Sequence, residues 1–183
     1  MKQGKKGFTL FELMLVLAII GILSAIAVPN ILAAIEAYGL TAAARDFSSM
    51  LRKARSRAIK ENRTIVIEFE LSTTGEKWDG RYIFDAGGRH QKIVPGSEYG
   101  LLSRRYSGVL FGFGNATKSA AASGGALPAS PITFQGMRVS FNPMGLSNAG
   151  YAYFANKKGS AYAVGLISTG IIRFKKWNGS EWK

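Results

Sequence analysis

Cysteine is absent from this chain, histidine occurs once, and acidic residues number 11 against 24 lysines and arginines. Without cysteine there is no disulfide staple, no thiolate metal site and no thiol nucleophile. The lone histidine, His90, lies in a polar, loop-like stretch. Asp79, Asp85 and Glu98 are scattered, without the alternating spacing of a calcium loop. The stretch from Gly112 to Ser119 approaches a phosphate loop, but Thr117 stands where the second glycine belongs and no helical pattern follows. Nucleophile, base and orienting group are nowhere assembled. The expectation is a protein that is not an enzyme, with no cofactor and no metal.

What the chain does have is concentrated near its start. From Phe8 to Val28 the residues are apolar or small, and Glu12 is the only charged one. Lys2, Lys5 and Lys6 precede this run. At 1.5 Å per residue such a helix is about 31 Å long, close to the hydrocarbon thickness of a bilayer. A carboxylate inside a membrane helix costs about 2.5–3.5 kcal/mol at mid-membrane and less near an end. Glu12 therefore calls for a partner. The lysines place the short N-terminal side in the cytoplasm and the bulk of the chain across the membrane. Two plainer readings compete. Ala25-Ile26-Ala27 has the small-x-small form of an ordinary secretory cleavage site, although the apolar region exceeds the usual span of about 7–15 residues. A simple membrane anchor is the other, with Glu12 reaching the interface.

Gly7 followed by Phe8-Thr-Leu-Phe-Glu12 and a long apolar helix resembles the class III signal of type IV prepilins and type II secretion pseudopilins. The resemblance implies cleavage by a prepilin peptidase between Gly7 and Phe8, and methylation of Phe8 as the new first residue. It also implies that Glu12 neutralises the terminal amine of a neighbouring subunit during assembly, and that Pro29 bends the long helix. On this basis residues 1–7 form a leader, 8–29 a transmembrane and assembly helix, and 30–183 a periplasmic pilin-like domain. The implied partners are the peptidase, other pilins or pseudopilins, an inner-membrane assembly platform and the membrane itself, with secreted cargo or DNA as further candidates.

Helical periodicity resumes beyond Pro29 with Ile31, Ala34, Ile35 and Tyr38, then Leu40, Ala44, Phe47, Leu51, Ala54 and Ala58. One helix from about Thr9 to about Glu61 is predicted, loosened near Pro29 and again at Gly39, apolar all round in its first half and amphipathic in its second. The period then changes to two: Ile65, Ile67, Phe69 and Leu71 share one face and Glu68 and Glu70 the other. Further strands are predicted over 81–84, 92–94, 109–113, 137–141, 151–154, 162–168 and 171–177. Turns are predicted at Thr74-Gly75, Gly87-Gly88, Thr169-Gly170 and Asn178-Gly179, and a flexible loop over 118–131. One helix followed by strands argues an α+β fold, the long helix packed on antiparallel β-sheets.

Arg45, Leu51, Ala54-Arg-Ser-Arg-Ala-Ile59 and Asn62 resemble the helix end of the GspH/FimT group of minor pilin-like proteins. Val139-Ser-Phe-Asn-Pro-Met-Gly145 and Ile167-Ser-Thr-Gly-Ile-Ile-Arg173 are similar to that group's later strands. The resemblance implies two antiparallel sheets and a minor subunit at or near a filament tip. Some FimT-type pilins bind DNA through a Gly-Arg-x-Arg stretch; here Gly170-Ile-Ile-Arg173 carries one of the two arginines. With a formal charge of +13, Arg173, Lys175 and Lys176 among the aromatics Phe174, Trp177 and Trp182 form a candidate nucleic-acid contact. The plainer and favoured reading of these cations, and of the basic residues between Arg45 and Arg63, is a solvated helix face and tail.

Overall fold

A computed structural model of the chain describes residues 9–74, 77–85, 102–121 and 123–183. The leader with Gly7 and Phe8, the strand expected at 92–94, Gly75, Gly87-Gly88, His90 and Glu98 lie outside the described residues. The chain divides into two compact units, Met1–Ile35 and Glu36–Lys183.

A single helix, α1 (Leu10–Lys60), runs through both units, and its assignment passes through Pro29 and Gly39 without interruption. Its start is capped by Thr9. Thr9 Oγ1 accepts the Glu12 N–H at 3.2 Å, in a Thr-x-x-Glu arrangement that satisfies a donor the first turn would leave free. In the first unit every residue from Leu10 to Val28 is exposed. In the second unit the buried face is Leu40, Ala43, Ala44, Phe47, Met50, Leu51, Ala54 and Ala58. These residues share one core with the inward side chains of the sheet, Phe47 packing on Phe69 and Phe154. Asn62 ends the helix in the left-handed region at φ 48°, with the Arg63 N–H reaching back to the Ala58 carbonyl at 3.2 Å.

The strands are β1 (Ile65–Thr74), β2 (Lys77–Asp85), β3 (Val109–Phe111), β4 (Arg138–Phe141), β5 (Gly150–Asn156), β6 (Ala161–Leu166) and β7 (Ile172–Lys176), with a short helix α2 (Leu102–Arg105) before β3. All pairings are antiparallel, in the order β4-β1-β2-β3-β5-β6-β7. The architecture is α+β, as expected, but the two sheets implied by the resemblance are joined into one. The join is slight: β2 and β3 meet through the single pair Trp78↔Phe111. What holds the halves together is the aromatic cluster beneath the seam. Phe69 on β1 packs edge-on to Phe111 on β3 at 6.2 Å, and Phe47 of α1 touches both Phe69 and Phe154 at about 5.5 Å.

The loop expected to be flexible over 118–131 contains no strand among its described residues, and its first part is fastened to the sheet. Tyr153 Oη accepts the Ala120 N–H at 2.9 Å, Lys175 Nζ donates to the Ala120 carbonyl at 2.8 Å, and Trp182 Nε1 donates to the Lys118 carbonyl at 2.7 Å. Small side chains at Ala161 and Ala163 leave room for this covering layer, so β6 is buried on both faces.

Candidate functional site

The N-terminal segment is the first candidate. Leu10–Val28 is 19 residues with a mean hydropathy of 2.6, long and apolar enough to cross a membrane by length and composition. Exposed leucine and isoleucine side chains cover its whole circumference; Leu13 is 55% and Ile26 71% accessible. Glu12 sits on the third residue of the helix, at the positive end of the helix dipole. Its carboxylate has no hydrogen bond or ion pair among the described residues. Thr-x-x-Glu ahead of an apolar run is a sequence signal for this Thr9 cap, additional to the motif of Gly7, Phe8 and Glu12. At Pro29 the helix continues through a residue that cannot donate a backbone hydrogen bond.

The second candidate is the basic surface. Arg45, Arg52, Lys53 and Lys60 are exposed on α1, whereas Arg57 and Arg63 both engage Glu61. Hydrogen bonds from Arg57 and then Arg63 hold the Glu61 carboxyl below its ordinary range. Arg55 Nε donates to the Gly145 carbonyl at 3.1 Å. That contact explains three sequence signatures at once. Gly145 and Gly170 both sit at positive φ, near 76° and 75°, and a Cβ on Gly170 would strike the Gly145 carbonyl oxygen. The helix end and the two later strand signatures meet at this point.

Arg173, Lys175 and Lys176 do not converge. Strand alternation turns Arg173 and Lys175 to the outer face of the sheet and Lys176 to the face packed on α1. Lys175 is held by the Ala120 carbonyl and lies 6.0 Å from the Tyr151 ring; Lys176 Nζ lies 5.9 Å from the ring of Tyr162. Trp177 is buried with Ala116, Ala161 and Trp182, so its ring is not free to stack on a base. Nearby, Tyr106 Oη donates to Asp46 Oδ2 at 2.7 Å, and Arg105 pairs with the same carboxylate at 2.9 Å. Desolvation, aided by the Asp46 hydrogen bond, raises the Tyr106 hydroxyl to about 12. Among the described residues no three His, Asp or Glu side chains gather where a metal could bind.

Comparison with known proteins agrees with this arrangement. Residues 2–28 match the prokaryotic N-terminal methylation motif, and residues 43–170 match the family described as type II transport protein GspH. A pilin-like protein of Thermus thermophilus, PilA1, is 31% identical over 96 residues, covering 52% of this chain and 58% of that protein. The chain thus spans little more than half the length of this relative. No solved structure matches. A methylation motif on an exposed apolar helix, and a GspH match over residues 43–170 that takes in most of the antiparallel sheet, make this chain a pilin-like protein of the GspH family.

Proposed function

We propose that the protein is a minor pilin or pseudopilin of a type II secretion or type IV pilus filament, a structural subunit rather than an enzyme, placed at or near the tip. The observation that carries this reading is the bare apolar helix Leu10–Val28 with Glu12 as its one charge, unpaired within the described residues. Before assembly the helix holds the chain in the inner membrane, the leader in the cytoplasm and residues 30–183 in the periplasm. A prepilin peptidase removes residues 1–7, and Phe8 becomes the methylated N-terminus. In the filament the helix leaves lipid for contact with neighbouring helices, and Glu12 meets the amine at Phe8 of an adjacent subunit. A buried charge is costly alone and tolerable when paired, which gives Glu12 a role in register as well as attraction.

Processing is the direct test. Mass spectrometry of the N-terminal peptide from membranes should show a chain beginning at methylated Phe8. Gly7→Val should leave the lysine-rich leader attached, because the peptidase must approach a backbone without a side chain there. A mature chain beginning at Val28 would replace this reading with ordinary secretion.

A further inference from the structure

β7 is an edge of the sheet, and it is open on the side facing a groove along α1. The direction of its backbone can be read from its neighbours. The Trp177 N–H points to β6, bonding the Ala161 carbonyl at 3.0 Å, whereas the Lys176 carbonyl accepts the Lys183 N–H at 3.0 Å and the Lys176 N–H bonds the Lys183 carbonyl. Lys176 therefore faces away from β6, and by the two-residue period so do Phe174 and Ile172. Among the described residues nothing pairs with the outward N–H and C=O groups of Phe174 and Ile172.

The groove beside this edge consists of two adjoining clefts that share Arg52. One, of about 370 Å³, is lined by Arg45, Ser48, Ser49, Arg52 and Phe174. The other, of about 480 Å³, runs on past Ile59 to Ile171 and Ile172. Ile59 and Ile171 are each about half exposed. No carboxylate lines either cleft, and Arg45 and Arg52 have no ion pair among the described residues. Ser48, 3% accessible, lies in the floor with its hydroxyl unpaired. Arg173 adds a cation on the other face of the same edge.

We infer that this edge and groove receive an extended, acidic segment of another protein, which adds a strand to β7 and turns carboxylates towards Arg45 and Arg52. Backbone pairing at Ile172 and Phe174 supplies the affinity, and the side chains facing α1 supply the selection. Among the described residues a second copy of this chain offers no free acidic strand. Its described acidic strands are β1, with Glu68 and Glu70, and β2, with Asp79 and Asp85, and both are already paired on either side. The inference uses only residues after Glu36 and stands apart from the filament reading.

The test uses the full chain in detergent and a fluorescent eight-residue peptide alternating glutamate and valine, followed by anisotropy. A residue paired outward with Phe174 shares its face, so glutamates turned to α1 also present their own N–H groups to β7. N-methylation of the glutamate nitrogens should therefore weaken binding about tenfold or more, while methylation of the valine nitrogens should leave it nearly unchanged. Arg45→Glu with Arg52→Glu should weaken it by a similar factor. Phe174→Pro, which removes the outward donor at the edge together with the ring that lines the groove and packs on Tyr162, should also weaken it, with unchanged circular dichroism. Equal binding of both methylated peptides, or an unaffected double arginine variant, would overturn the proposal. Displacement of the peptide by single-stranded DNA at lower concentration would overturn it in favour of nucleic acid.

Discussion

Glu12 combines two roles that pull in different directions. Its backbone N–H helps to close the first turn through Thr9, while its carboxylate stands exposed with no described partner in the chain. Glu12→Ala should therefore leave insertion and cleavage intact, since it removes the group that is costly in lipid. Copurification with partner pilins should fall, because the neighbouring amine loses its counter-charge; undiminished copurification would refute the pairing. Tyr106 is a second residue whose chemistry follows from its surroundings. Its hydroxyl is raised from 10.0 to about 12 by desolvation and by the hydrogen bond to Asp46. A raised folded value favours the protonated form, so the stabilisation is complete below the unfolded value and is lost as pH rises from about 10 through about 12. Tyr151 shifts in the same direction. Tyr106→Phe should thus flatten, without removing, the loss of stability in alkaline unfolding titrations.

Among the elements, α1 carries the second unit. Phe47 is fully buried and joins the two halves of the sheet through Phe69 and Phe154. Phe47→Ala should cost about 3–5 kcal/mol, read from denaturant unfolding by tryptophan fluorescence, because the cavity opens under a seam with one strand pair above it. The alternation from Ile65 to Leu71 and the helical repeat from Leu40 to Ala58 were both legible, since each element exposes a polar face and buries an apolar one. Ile31, Ile35 and Tyr38 continue the same repeat yet stand exposed, so periodicity identified their helix without identifying what would cover them. The loop over 118–131 was legible as a loop from its alanine, serine and glycine content. Its attachment was not, because Tyr153, Lys175 and Trp182 reach it from distant positions.

At the scale of the whole molecule the net charge of +13 invites a nucleic-acid reading, and the distribution of that charge argues against it. Arg173 and Lys176 lie on opposite faces of one strand, Lys175 is held by a carbonyl, and Trp177 is buried. Mobility-shift titration of the full chain should show weak, sequence-independent binding that disappears near physiological salt, because few phosphates are neutralised together. Alanine at 173, 175 and 176 should change it little. Salt-resistant binding abolished by those three substitutions would instead establish a DNA receptor.

The sequence by itself determined the anchor and the fold class. A local run of apolar residues, an acidic residue at a set distance from Gly7 and a change of period from 3.6 to 2 are properties of neighbours in the chain, and they survive without knowledge of packing. Tertiary structure alone decided which charges are free, which aromatics are buried and which strand is left open. Those depend on contacts between residues far apart: Arg55 meets Gly145 because two glycine turns approach without a Cβ between them, and β7 is an edge because β6 covers only one side of it. Exposure and pairing are properties of the assembled surface, and no spacing in the chain encodes them directly.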